Sequence, residues 1–300
     1  MNEKEIIKNN SDFLFIYDAK MSNPNGDPDE ENRPRMDYEK GINLVSDLRA
    51  KRYIRDYLAD NGEDIFVSMV DNKYVTAEKR VTEAFEDKTS DEEVLEKWID
   101  VRLFGATMTV KKDNKIFTGP IQFNWGYSLN KVELLEASIT SHFSTGENKT
   151  QGTIGKDYRV YYSFIAFSGI ISARRAKNTR LKNEDISKFD NAIVESIPLL
   201  ATRSKIGQYP RLYLRLEYND DKKFIGDLRD YIRLQEDEKL RDIKECNLNI
   251  DELISVINEN KDKINCIYYY YDKSLRILKN NEEIKLEEEL KGFNIKKIGE

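Results

Sequence analysis

Residues 12–19, DFLFIYDA, alternate, are rich in aromatics and read as a β-strand. The loop that follows, MSNPNGDPDEENRPRMDYEKG (21–41), holds three prolines and two glycines and opposes both helix and sheet. A connection of that length inside a compact domain points to function or disorder. Residues 43–60, NLVSDLRAKRYIRDYLAD, predict an amphipathic helix. Leu44, Leu48, Tyr53, Ile54, Tyr57 and Leu58 make its apolar side, and Lys51, Arg52 and Arg55 add positive charge.

Further along, IFVSMV (65–70) reads as a strand. Residues 77–87 and 90–100 read as short acidic helices, the second capped by Ser90. After VRLFGA (101–106), TMTVKK and KIFTGPIQF predict a hairpin turning at Asp113-Asn114. DYRVYYSFIAFSGII (157–171) is a strand, 183–201 a helix capped by Asn183, and RLYLRLEY (211–218) an alternating strand. The tail predicts helices near 224–245 and 250–260, a strand at NCIYYYYD, and the segments SLRIL and FNIKKI. Stripped of insertions, residues 12–218 run β–α–β, insert, β–α–β. This order predicts an α+β fold with an RRM-like (ferredoxin-like) sheet, helices on one face and the other face open for binding.

The chain has 300 residues, 39% hydrophobic and 35% charged, enough for a sizeable core. No apolar run approaches the ~18 residues of a membrane helix. The polar start is no targeting peptide, so the expected location is the cytoplasm. One histidine, His142, and two cysteines, Cys246 and Cys266, argue against a Cys/His zinc site within one chain and exclude an HExxH site and a disulfide framework. The two thiols read as inert core residues. No P-loop or nucleophile-elbow motif is present, and no cofactor is expected.

The net charge of −6 hides segregation: residues 141–216 hold 13 Lys/Arg against 6 Asp/Glu, and 78–100 hold nine acids against four bases. Arg174, Arg175, Lys177, Arg180 and Lys182 form a run without an acid, and Arg203, Lys205, Arg211 and Arg215 form another. Basic clusters gathered on one face would suit a polyanion. The loop after the first strand allows two chemistries. Asp27, Asp29, Glu30, Glu31 and Asp37 suggest a hard-metal site, although an EF-hand starting at Asp27 would place Asn32 and Tyr38 where glycine and glutamate belong. Alternatively Asn23, Asn25, Gly26, Arg33 and Arg35 build a rigid loop that meets phosphate or ribose.

The strings Asn23-Pro24-Asn25-Gly26-Asp27-Pro28 and Asn32-Arg33-Pro34-Arg35-Met36-Asp37 resemble the hallmark of CRISPR-associated backbone proteins. These are the repeated CRISPR-RNA-binding subunits of type I Cascade effector complexes, and the resemblance is strongest to the type I-B branch. Lys51-Arg52-x-x-Arg55, 101–106, Thr118-Gly119-Pro120-Ile121-Gln122-Phe123 and Thr202-Arg203-Ser204-Lys205 agree in order, over about 12–218. The resemblance implies a hand: an RRM-like palm (1–60, 106–127 and 159–300), helical fingers (61–105) and a thumb-like hairpin (128–158) that includes Gly152 and Gly155. It implies a non-catalytic subunit whose copies stack head to tail along one guide RNA and present it for pairing with target DNA in antiviral defence. The expected partners are guide RNA, target DNA through the guide, further copies and other Cascade subunits, with no membrane.

The family's basic first helix matches Lys51, Arg52 and Arg55, and its first loop matches Asn23, Asn25, Arg33 and Arg35. Charge alone adds Arg174, Arg175, Arg203 and Lys205, and Lys20 at the end of the first strand completes the RNA-binding candidates. Acids within 78–100 would meet a neighbour's basic groove. No RNP1 string occurs, so Tyr161, Tyr162, Phe164 and Phe167 read as core, and the tyrosines at 268–271 as strand. Two alternatives stand beside the scaffold. One is a metal-dependent ribonuclease using Asp27, Asp29 and Asp37, as in related type III subunits; the other is a single-site RNA chaperone.

Overall fold

The computed structural model describes residues 5–85, 89–110, 113–140, 154–236 and 239–299. The fold is mixed α+β around one large sheet. The central strand, Ser11–Ser22, lies antiparallel between Gln208–Tyr218 and the long strand Ile154–Ile171. Ile264–Tyr271 and Ile295–Lys297 extend the sheet on one side, and Gly126–Ser128, Ile42–Val45 and Met36–Asp37 extend it on the other.

The central strand is apolar on both faces because both are covered. Phe13, Phe15, Tyr17 and Ala19 pack against the helices Asp47–Asp60 and Asn183–Leu199, meeting Tyr53, Ile54, Phe189 and Ile193. Leu14 and Ile16 point the other way, with Tyr162, Phe164, Leu214 and Leu216, into a second core closed by Leu228, Leu248, Leu253, Ile257 and Leu290. The open sheet face expected from the sequence is therefore filled by the C-terminal 80 or so residues, as burial on both sides of a strand requires. Asp12 fastens this cover, and Asp18 ties the central strand to its neighbour Gln208–Tyr218. Asp12 accepts from Ile225 N (2.6 Å) and the Tyr218 hydroxyl (2.6 Å), and Asp18 pairs with Arg211 (2.9 Å). Burial raises both carboxyls above their ordinary range.

Several local expectations change. Leu44 belongs to the strand Ile42–Val45, because Ser46 caps the helix only from Asp47 on, and Leu48 is exposed. Residues 65–70 are irregular, their one bridge joining Val70 to Lys73. Lys182 rather than Asn183 caps the helix Asn183–Leu199: its N–H donates to Asp185 (2.9 Å). The predicted helix near 224–245 is replaced by a 3-10 turn, Leu228–Tyr231, and the strand Arg233–Glu236, paired with Cys246–Asn249. The helix Asp251–Glu259 and the strand Ile264–Tyr271 match their expectations. Ser90 caps Asp91–Lys97 reciprocally with Glu93.

Asp113 and Asn114 sit inside a strand rather than at a turn, in the hairpin of Gly105–Val110 with Asp113–Thr118. Met108 and Phe117 of that hairpin pack with Phe66, Val81, Val94, Leu95 and Trp98 in a separate small core, so the hairpin goes with the insertion and not with the sheet. Cys246 and Cys266 are buried and unpaired, and burial, followed by Glu236, pushes the Cys246 thiol up to about 12. His142 and Gly152 lie outside the described residues. No helix among the described residues is long and apolar enough to cross a membrane.

Candidate nucleic-acid interface

The central strand ends where Ser22 pairs with Val160. The long strand continues past that point and pairs with Leu134–Thr140, so the base of this hairpin stands beside the 23–35 loop. The loop is ordered despite its prolines. Gly26–Asp27 pairs with Arg33–Pro34 around the 3-10 turn Pro28–Glu30, and the Asp27 side chain accepts from Asp29 N. Glu31 and Asn32 take left-handed backbone to close it. Gly26 is required by close approach, since a Cβ there would lie 1.9 Å from Asn32 Oδ1 and 2.9 Å from its carbonyl oxygen. Gly26→Ala is therefore expected to displace the loop and lower RNA retention while the urea midpoint stays near wild type, measurable by absorbance ratio and unfolding.

Polar side chains fasten this loop to three neighbours. Asn23 Nδ2 donates to the carbonyls of Asn32 (2.7 Å) and Tyr158 (3.3 Å). Asn25 Oδ1 accepts from the Ser46 N–H (2.9 Å) and hydroxyl (3.1 Å), tying the loop to the cap of the first helix. Lys205 Nζ donates to the carbonyls of Asn23 and Pro24, bringing in the 202–207 turn.

Seven cations gather at this end of the sheet. Arg33 lies over the Tyr158 ring at 4.6 Å and donates to its hydroxyl at 3.3 Å. Lys156 bridges Glu31 (3.4 Å) and Glu136 (3.7 Å). Arg35 pairs with Asp27 (2.8 Å). Arg159 and Arg203 share Asp157 at 2.9 and 3.0 Å, and Arg49 lies over Tyr53 at 4.1 Å. Lys205 is the seventh. Arg203 is 64% exposed and Lys156 49%, so both reach solvent. The Tyr158 hydroxyl first, then Lys156, hold the Glu31 carboxyl below its ordinary range. Burial first, then the Arg49 guanidinium, pushes Lys205 down to about 7.

Six of the twelve expected contact residues thus come together: Asn23, Asn25, Arg33, Arg35, Arg203 and Lys205. The two asparagines act through loop geometry, because Asn23 is buried and Asn25 holds Ser46. Lys20 points to the other face, onto Asp242 (2.5 Å). The other three cations of the first helix are engaged within the protein. Lys51 is buried against Asp47 (3.0 Å), Arg52 donates to the Val67 carbonyl (2.6 Å) and Asp56 (2.6 Å), and Arg55 donates to Asp100 (2.9 Å) in the interior. Arg174 and Arg175 follow Ile171, which pairs with Ser11 at the opposite end of the central strand, about 36 Å away at ~3.3 Å per residue.

Lys156, Tyr158, Arg159 and Arg49 complete the cluster. For the three on the long strand the signal was the alternation of Lys156, Tyr158 and Val160, with Arg159 between them; for Arg49, on the first helix, the sequence carried no comparable signal. The acidic loop offers no metal cage: Asp27 is held by Arg35, Asp37 accepts from Lys40 N (3.1 Å), and no three Asp, Glu, His or Cys side chains converge among the described residues. Glu96, expected to face a neighbour, pairs with Lys182 (3.6 Å), and Glu92 pairs with Arg180.

The model of the family described as "CRISPR-associated protein Cas7" matches residues 9–251. A curated relative of that description from Haloferax volcanii is 33% identical, across 93% of this chain and 92% of the relative. A chain of a solved CRISPR RNA-guided surveillance complex superposes with a TM-score of 0.52 at 13% identity, covering 91% of this chain and 90% of that one, which is a likeness of fold.

Proposed function

The chain belongs to the CRISPR-associated protein Cas7 family, and on that footing we propose that it is a non-catalytic, cytoplasmic CRISPR-RNA-binding backbone subunit of a type I effector complex, of the I-B branch. Its copies stack along the guide RNA and present it for pairing with target DNA. The central strands and the helices Asp47–Asp60 and Asn183–Leu199 form an RRM-like palm. The insertion from residue 61 forms fingers, and the hairpin that includes Leu134–Thr140 forms a thumb. The observation that carries this reading is the convergence of loop 23–35, the thumb base, the 202–207 turn and the first helix cap around one group of cations. Such a surface holds phosphate and makes no base-specific contact, as a scaffold for any guide sequence must.

The test is the identity of RNA that co-purifies from cells with and without a CRISPR array. Array-derived RNA is expected. Bulk cellular RNA in equal amount from both cells would contradict the guide reading.

Lys205 adds a pH dependence. Its ordinary value of 10.5 falls to about 7 in the folded chain, so between these values the unfolded chain holds more protons. This group therefore makes the unfolding free energy rise with pH across that window. RNA acts in the opposite sense. A phosphate beside Nζ favours the ammonium, so binding takes up a proton above pH 7, and affinity falls as pH rises from 7 to 9. Lys205→Met is expected to flatten that dependence; an equal slope in the variant would contradict it.

A further inference from the structure

The acid-free basic run at 174–182 divides in the structure. Arg180 and Lys182 pair with Glu92 and Glu96. Arg174, Arg175 and Lys177, on the short helix Ala173–Thr179, stay exposed. Arg174 and Lys177 pair with Asp221, at 3.5 and 3.9 Å, and Arg174 also lies near the Asp220 carboxylate. Asp221 belongs to the turn that also carries Lys222 and Lys223. Asn10 joins the two segments, donating its N–H to the Asp220 carbonyl (2.9 Å) and accepting from Ala173 N at its side-chain oxygen (2.9 Å). The Asp220 carboxylate is turned to the N–H groups of Lys222 (2.8 Å) and Lys223 (3.1 Å). Five cations thus gather around the Asp220 and Asp221 carboxylates, with buried Asp12 near Lys223, on a patch at the far end of the central strand from the guide interface.

The two ends differ in a second way. Met21, Ile206 and Tyr209 are large exposed apolar side chains around the guide interface, whereas none among the described residues lies in 172–182 or 219–224. Surfaces for single strands combine cations with side chains on which bases stack. A duplex keeps its bases stacked inside and offers its phosphates. We propose that the Arg174–Lys177–Lys222 patch is a second nucleic-acid surface that grips the backbone of double-stranded nucleic acid independently of sequence. It stands whether or not the other end carries a guide.

The experiment uses the full chain with its co-purified RNA and a 30-base-pair DNA duplex unrelated to any guide, titrated by fluorescence anisotropy over a salt series. The variant R174Q/R175Q/K177Q retains helix-forming side chains. With ~0.9 per phosphate contact on a duplex, its salt slope should fall by about 2.7, and its affinity at 0.1 M salt by a few hundredfold, with RNA content unchanged. K222Q/K223Q should lower the slope by about 1.8, which keeps the test decisive if the first variant misfolds. Wild-type-like duplex binding by a folded variant would overturn the proposal. Equal competition by single-stranded DNA of the same length would overturn the duplex preference, and loss of RNA together with duplex would overturn the separateness of the two surfaces. Reversal of self-association by the variant, without any effect on duplex, would assign the patch to a second copy instead.

Discussion

Replacing Arg33, Lys156 and Arg203 together with alanine is expected to strip the protein of its RNA while leaving it folded. These side chains project from the loop, the strand Ile154–Ile171 where it pairs with Leu134–Thr140, and the 202–207 turn, and each now meets an exposed or shared carboxylate. Phosphate would take the place of Glu136, Glu31 and Asp157. On a single strand each phosphate contact contributes ~0.7 to the salt slope, so losing three lowers the slope by about 2 and the affinity at 0.2 M salt by about 30-fold. The pairs broken are surface pairs worth ~0–1 kcal/mol each, so the urea midpoint should barely move. RNA content that survives the triple substitution would remove these residues from the interface.

The opposite pattern is expected of Arg55, one residue of the basic first helix. Its guanidinium donates to Asp100 at 2.9 Å inside the protein and lies 5.1 Å from the centre of the Phe104 ring. Asp100 also accepts from Phe66 N (2.7 Å) and Val67 N (3.2 Å), so this one carboxylate joins the first helix to the segment at 66–67. Arg55→Ala leaves a buried carboxylate without its cation, a change that costs about 3–5 kcal/mol. Urea unfolding should show that loss, and the RNA bound per folded molecule should stay at the wild-type level. Arg55→Met with Asp100→Asn should recover part of the stability, because the asparagine oxygen still accepts one backbone N–H. A stable Arg55→Ala protein that has lost its RNA would return this residue to the interface.

The two central strands were legible because Phe13 to Tyr17 and Val160 to Ile171 are rich in apolar and aromatic residues. The covered second face was legible too. FLFIY places Leu14 and Ile16 opposite Phe13, Phe15 and Tyr17 with no polar side, which requires burial on both faces. What masked it was the charged tail, whose apolar residues are spread among 3-10 turns and short strands and carry no strong period between 224 and 245. The loop motif marked an ordered turn, since its asparagines and glycine shape the backbone that presents the arginines. Lys51, Arg52 and Arg55 misled because cations at helical spacing do not reveal their partners. Asp47 and Asp56 lie one turn away, but Asp100 lies 45 residues on and meets Arg55 only in three dimensions.

The central claim is that copies of this chain are strung along one guide, and nuclease footprinting of the co-purified, array-derived RNA tests it most directly. Stacked copies, each gripping the strand through the same cation cluster, should give protected intervals of constant length separated by regularly spaced cuts. A single short protected segment, or protection without any period, would contradict a backbone built from repeated copies.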